Sequence, residues 1–152
     1  MKTILLPLDL GSNTLSLFEY AEPLAKSMDA TLLLLHVVRK QSYDNGTFSP
    51  KTDVHECVLQ QSRMILEQLS QRAIRHGIRA KTMILDGDPA ATILNTAKET
   101  RAEMIIVRSA CGDAQCTSTK VLASASCPVL ACHVNHAPPT IPTRAQRDDG
   151  NS

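Results

Sequence analysis

Two hydrophobic patterns, one typical of strands and one typical of helices, alternate along the chain. Short runs of consecutive aliphatic residues are typical of strands buried on both faces of a parallel sheet. Between them lie longer segments whose apolar residues recur every three or four positions, as on one face of a helix. Strands that alternate with helices in this way predict an α/β domain. The predicted strands are Thr3 to Leu8, Thr31 to Val38, Ala80 to Leu85, Met104 to Val107 and Pro128 to Val134.

Capping and turn residues mark the ends of the intervening helices. Ser12 or Asn13 is suited to begin the first helix, and Gly77 to end the second. Asp88 and Pro89 are suited to begin the third, after a sharp turn at Gly87. The second helix is predicted over Thr52 to His76 with Val54, Val58, Ile65 and Leu69 as its apolar stripe, and the last over Ser118 to Ser126 with Val121, Leu122 and Ala125 facing inward.

Composition narrows the class of protein. The 152 residues are enough for one domain with a substantial core, and only 3% of them are aromatic. A net charge of +1 gives no electrostatic reason to expect nucleic acid or an anionic membrane as a partner. No apolar run approaches the roughly 20 residues that span a bilayer. Met1 to Leu10 resembles a first strand rather than a signal peptide, so a cytoplasmic location is predicted.

The last residues differ from the rest of the chain. His136 to Ser152 contains three prolines and charges of both signs, a composition typical of disordered segments. We therefore predict a domain over residues 1–135 and a disordered tail over residues 136–152.

The loop after the fourth strand is the most informative segment for function. Open α/β sheets bind ligands outside the carboxyl ends of their strands, and Arg108 to Cys116 occupies that position. Its sequence, Arg-Ser-Ala-Cys-Gly-Asp-Ala-Gln-Cys, contains one glycine, one cation and one anion.

Five short segments resemble the universal stress protein family in their order and spacing, over nearly all of Met1 to Val134. They are Ile4-Leu5-Leu6-Pro7-Leu8-Asp9, Leu33-Leu34-Leu35-His36-Val37, Gly87-Asp88-Pro89-Ala90, Ala102-Glu103-Met104-Ile105-Ile106-Val107 and Cys127-Pro128-Val129-Leu130. The resemblance implies a single three-layer α/β/α domain with a five-stranded parallel sheet of order 3-2-1-4-5, the adenine nucleotide alpha-hydrolase-like fold. It also implies a cytoplasmic, non-enzymatic stress-response protein that forms a homodimer through its fifth strand, Val129 to Val134.

One branch of that family binds ATP with a Gly-x-x-Gly pair and a later Gly-Ser or Gly-Thr before the last helix. This chain has Arg108 and Cys111 in place of the first two glycines, and Gln115-Cys116 in place of Gly-Ser. The connecting segment is also shorter than in the signature, and Asp113 adds negative charge beside the expected polyphosphate. The sequence therefore predicts that ATP is not bound in the family's usual mode, and no cofactor is expected.

An adenine nucleotide, ATP or AMP, is the first alternative. Asp9 matches the family's carboxylate on the adenine or ribose side, with Pro7 and Val37 as its neighbours. The other interpretation of Asp9 is that it caps the following helix through a turn. If a nucleotide binds, the resemblance implies the ligand residues Pro7, Asp9, Val37, Arg108, Ser109 and Ser118.

The cysteines suggest a second alternative. Cys111 or Cys116, near the start of the last helix, could act as a redox-responsive thiol in an interaction module. A metal site is not predicted, because Cys127 and Cys132 differ by an odd number and face opposite sides of a strand. No pattern of nucleophile, base or paired carboxylates indicates an enzyme.

Overall fold

A computed structural model describes residues 2–11, 13–39, 50–109 and 116–133, with the side chains of α2 described from residue 56 onward. The predicted tail, Val134, Ser12, Asp113 and Cys111 lie outside the described residues. The elements in chain order are β1 (Lys2–Pro7), α1 (Thr14–Met28), β2 (Ala30–Val38), α2 (Pro50–Arg75), β3 (Ala80–Asp86), α3 (Pro89–Thr100), β4 (Met104–Arg108), α4 (Thr117–Ser124) and β5 (Val129–Cys132).

The five strands form one parallel sheet of order β3-β2-β1-β4-β5, which confirms the predicted fold. β2 begins one residue earlier than predicted, at Ala30, and β5 begins one residue later, at Val129. β3 and β5 are the two edges of the sheet. The chain therefore winds outward from β1 in one direction and returns to β4 on the other side of it.

Alternation along the strands divides the core between two faces of the sheet. Ile4 and Leu6 of β1 pack in one cluster with α1 and α2, whereas Leu5 packs in a second cluster with α3 and α4. Ile106 of β4 belongs to the first cluster and is fully buried. Both faces of the central strands are covered, which explains why their sequences are continuous aliphatic runs.

Residues at the helix ends account for where α2 stops and for where α3 starts and stops. Gly77 has φ of +82°, and the Ile78 N–H donates to the Ala73 carbonyl oxygen, closing the last turn of α2. Arg101 ends α3 in the same left-handed region, with φ of +54°, although it is not glycine. At the other end of α3, the Asp88 carboxylate accepts from the Ala91 N–H at 3.0 Å, as predicted for its N-cap.

The predicted inward orientation of two residues, Ile65 and Leu122, is wrong. Ile65 is 36% exposed, because the buried face of α2 passes through Ser62, Leu66, Leu69 and Ala73 and includes small and polar residues. A prediction that uses only the large apolar residues therefore places the buried face at the wrong angle around the helix. Leu122 is 47% exposed for a related reason: α4 is short and buries only Val121.

A polar cluster joins α1 to the end of α2. The Glu22 carboxylate is buried and lies 2.9 Å from Nδ1 of His76 and 3.6 Å from Nη2 of Arg72. Arg72 also stacks over the Phe18 ring, 5.6 Å from its centroid. His76 is half-exposed and belongs to this structural cluster. In the described part of the chain, no helix is long and apolar enough to cross a membrane.

Candidate functional site

The sheet changes winding direction between β1 and β4, and this is where open α/β sheets form a crevice. The ladder between these two strands joins only Ile4 with Met104 and Leu5 with Ile105. Beyond Leu5 the strands are no longer paired, so their carboxyl ends are free to diverge. We define the switch-point site as the ends of β1 and β4 together with the adjoining end of β2.

Pro7 explains why the ladder stops. Leu8 donates its N–H to the Leu35 carbonyl oxygen in β2 at 2.8 Å. Because N–H groups alternate sides along a strand, the position of Pro7 directs its nitrogen toward β4, and proline has no N–H to donate. A proline in a central strand normally costs a ladder bond, but here it faces the opening of the switch-point site.

Asp9 follows β1 and is committed to two interactions. Its Oδ1 accepts from the Gly11 N–H at 2.9 Å, which closes a tight turn before α1. Its Oδ2 lies 3.8 Å from Nη2 of Arg108, at the end of β4. Leu10, inside the turn, has φ of +62°, an unusual conformation for a residue with a side chain. The Asp9 carboxylate therefore organises the turn, although its side chain remains 66% exposed.

Arg108 and Ser109 hold the other side of the site. The Arg108 side chain is 42% exposed, and its guanidinium spans from β4 to the carboxylate that follows β1. The Ser109 N–H donates to the Cys132 carbonyl oxygen at 2.6 Å, which anchors the end of β4 to β5. The ion pair between Arg108 and Asp9, at 3.8 Å and between partly exposed groups, contributes little to stability, but it shows which charged groups line the opening.

The end of β2 completes the site with a residue that sequence reasoning missed. His36 Nδ1 lies 2.8 Å from the Leu8 carbonyl oxygen, so this ring nitrogen carries a proton and donates. Val37, next to it, is partly buried against the second core cluster. The sequence does contain an indication of this contact: His36 is a polar residue within an aliphatic strand, and a half-buried imidazole needs a hydrogen-bond partner.

The last helix contributes less than expected. Ser118 lies in the first turn of α4, beyond residues 110–115, which are outside the described part. The described geometry brings together Asp9 and Arg108, with Pro7 and Val37 on the neighbouring strand ends. Cys111, which stands in place of one glycine of the ATP-binding signature, lies outside the described residues.

The described cysteines are all free thiols. Burial raises the pKa of both Cys127 and Cys132, so their thiolates are disfavoured. Cys116 is the N-cap of α4, and its Sγ lies 3.1 Å from Oγ1 of Thr119. Among the described residues, no group of three or more His, Cys, Asp or Glu side chains is arranged to hold a metal ion.

Comparison with known proteins gives consistent matches. The model of the universal stress protein family matches residues 1–133. The chain is 31% identical over 114 residues to universal stress protein YxiE of Bacillus subtilis (strain 168), which covers 70% of this chain and 77% of that protein.

Solved structures resemble the fold over most of the chain. A universal stress protein family structure from Burkholderia pseudomallei has a TM-score of 0.73 at 23% identity, covering 88% of this chain and 96% of that one. A universal stress protein family protein from Arabidopsis thaliana with AMP bound has a TM-score of 0.66 at 21% identity, covering 93% of this chain and 99% of that one.

Proposed function

The chain belongs to the universal stress protein family, and from this premise we propose that it is a cytoplasmic, non-enzymatic, dimeric stress-response protein that does not bind ATP in the family's usual mode. One observation carries the proposal: Arg108 Nη2 lies 3.8 Å from Asp9 Oδ2 across the switch-point site. A residue where the ATP-binding branch has glycine thus projects a side chain toward the carboxylate expected on the adenine or ribose side.

Steric and electrostatic effects both support this reading. Glycine allows backbone N–H groups to approach phosphate oxygens closely, whereas a Cβ and a long side chain at 108 keep the backbone away from them. A nucleotide that used Asp9 would also have to displace the guanidinium or bind around it. Asp9 would still have to keep its bond to the Gly11 N–H, at 2.9 Å, because that bond holds the turn before α1.

Exposed apolar residues on β5 support the dimer. Leu130 is 37% exposed, and Ala131 beside it is also exposed, although both belong to a strand. Ile105 in β4 and Ser109, just after it, donate to the Pro128 and Cys132 carbonyl oxygens, so the intervening odd-numbered residues of β5 direct their hydrogen-bonding groups outward. Pairing with the β5 of a second copy would satisfy these groups and cover Leu130.

A monophosphate nucleotide is the second candidate, supported by a different observation. The fold resembles that of an Arabidopsis thaliana family protein with AMP bound. A single phosphate needs fewer backbone contacts than a triphosphate, and the partly exposed Arg108 guanidinium could pair with it. In this mode the phosphate replaces the Asp9 carboxylate as the partner of Arg108, and Pro7 and Val37 lie beside the base or ribose.

Retained nucleotide separates these candidates. The protein is purified without added nucleotide, denatured, and its supernatant is analysed by mass spectrometry against a standard for each adenine nucleotide. We expect no stoichiometric ATP, and ATP incubated with the protein should release phosphate no faster than in buffer. Stoichiometric ATP would overturn the proposal, whereas AMP that is lost in Arg108→Ala would establish the second candidate.

A further inference from the structure

β3 is the edge of the sheet opposite β5, and among the described residues it pairs only with β2. The backbone carbonyl oxygen of Arg79 accepts from the Leu32 N–H at 2.8 Å, and the Gly87 N–H donates to the carbonyl oxygen of Val38 at 3.0 Å. Between these bonds the hydrogen-bonding direction alternates, so the odd-numbered residues of β3 face β2. Thr82, Ile84 and Asp86 therefore direct both their N–H and C=O groups away from the sheet.

A groove runs beside this open edge. It has a volume of about 880 Å³ and lies between β3 and α2. Leu59, Met64 and Leu66 form much of the α2 wall, and Met64 is 61% exposed. An open strand edge next to apolar side chains is a surface on which a further strand can add, because backbone bonds and apolar burial are gained together.

We propose that a second copy of this chain occupies this surface, through antiparallel pairing of β3 with its own copy about a two-fold axis at Ile84. This register places three of the four outward-facing residues of β3, Thr82, Ile84 and Asp86, opposite outward-facing residues of the other copy. The contact lies at the opposite edge of the sheet from β5, so a chain that makes both contacts joins β5 dimers into larger oligomers, whereas a chain without the β5 contact forms only the β3 dimer.

The side chains of β3 are complementary to themselves in this register. Ile84 meets Ile84 of the other copy, and Met83 meets its Leu85, so the centre of the contact is apolar. Thr82 meets Asp86, which sets a hydroxyl donor opposite a carboxylate on each side of the axis. Registers centred on Asp86 would place two carboxylates opposite each other, which is unfavourable.

The groove wall has the same self-complementary charge pattern. Arg63 and Glu67 of α2 both line the groove and are four positions, about one helical turn, apart. A two-fold axis brings the α2 helices of the two copies together in opposite directions. Arg63 of each copy then faces Glu67 of the other, with Met64 between them.

The test uses the full chain carrying Leu130→Lys, which introduces a charge into the β5 edge. Sedimentation velocity over a concentration series should show a dimer that remains in this variant. Adding Thr82→Asp should raise its dissociation constant about tenfold, since two symmetry-related pairs of like charge form. Adding Asp86→Lys to that protein should restore association to within about threefold of the Leu130→Lys variant, because each new Asp then faces a Lys.

Three results would overturn the proposal: a Leu130→Lys protein that is monomeric at every concentration, a dimer unaffected by Thr82→Asp, or a loss that Asp86→Lys does not restore. Circular dichroism melts check that each variant is folded. If Thr82→Asp folds poorly, Thr82→Lys serves instead, because it sets a cation opposite Asp86 and should tighten association. An unchanged or weaker dimer in a folded Thr82→Lys protein would equally refute the contact.

Discussion

Nη2 of Arg108 lies 3.8 Å from Oδ2 of Asp9, so a cation at the end of β4 meets an anion that follows β1. These residues are far apart in the sequence and adjacent only because β1 and β4 are neighbours in the sheet. The pair lies at the switch-point site, where we propose that it obstructs a nucleotide bound in the family's usual mode, and it leads to a direct prediction about affinity.

ATP should bind no better than in the millimolar range, a standard free energy near −4 kcal/mol. Titration calorimetry on the wild type measures this. Arg108→Gly combined with Cys111→Gly should not restore tight binding, because the connecting segment remains short. A micromolar constant for the wild type would contradict the prediction and identify Asp9, Arg108 and Ser118 as ligand residues.

Leu130→Lys should weaken the proposed β5 dimer. The side chain is 37% exposed in the described chain, and pairing of two β5 strands would bring two lysines together at an apolar contact. Sedimentation velocity should show smaller assemblies than in the wild type, because only the β5 contact is weakened. Lys120→Ala, an exposed position on α4, serves as a control for altered surface charge. A wild-type protein that is monomeric at micromolar concentrations would refute the β5 dimer.

Ile106→Ala should destabilise the protein by about 2–5 kcal/mol. Ile106 is fully buried in β4, between β1 and β5, and truncation leaves a cavity in the first core cluster. Denaturant unfolding gives the change in free energy. Ile65→Ala is the matched control, since Ile65 is 36% exposed and should cost much less. Equal losses in the two variants would be inconsistent with the described core.

Arg101→Gly should stabilise the protein by about 1 kcal/mol, since glycine adopts a left-handed conformation without the penalty of a Cβ. Arg101 ends α3 with φ of +54°. Gly77→Ala is the reciprocal variant: φ is +82° and no atom lies within 4 Å of the added Cβ, so only the backbone penalty remains. It should lose about 1 kcal/mol, measured by thermal unfolding. Changes of the same sign in both variants would contradict this account.

Cys57 should react with iodoacetamide in the native protein well before Cys132. Cys57 is exposed, whereas Cys132 is buried and burial raises its pKa. Since the native state holds the Cys132 proton more tightly than the unfolded chain, this contribution to stability is present below the ordinary thiol pKa of about 8.5 and is lost as pH rises above it. Peptide mapping at several pH values measures both rates, and rapid labelling of native Cys132 at neutral pH would disprove its burial.

Individual strands were readable from the sequence, but their neighbours were not. The aliphatic runs around Leu34 and Ile106 predict buried parallel strands, because only a sheet covered on both faces needs such runs. The order of those strands came from the family resemblance. In α2 the phase of the buried face was not predictable from large apolar residues, since Ser62 and Ala73 contribute to it.

The site was predictable to a similar extent. Asp9 and Arg108 were recognisable as strand-end residues, yet their ion pair depends on which strands are adjacent. The donation from His36 to the Leu8 carbonyl oxygen depends on the same tertiary arrangement. Residue type and spacing thus indicate which groups reach the carboxyl edge of the sheet, whereas their pairing is decided by the packing of distant segments.

Pro7 has a consequence for how such a protein can change over generations. Pro7 lacks the N–H that would extend the ladder toward β4, so the backbone itself contributes to where the pairing of β1 and β4 ends. Substitutions in the loop after Arg108 can therefore change the chemistry of the opening without having to preserve the opening itself. The backbone that forms the opening and the side chains that line it can therefore vary independently.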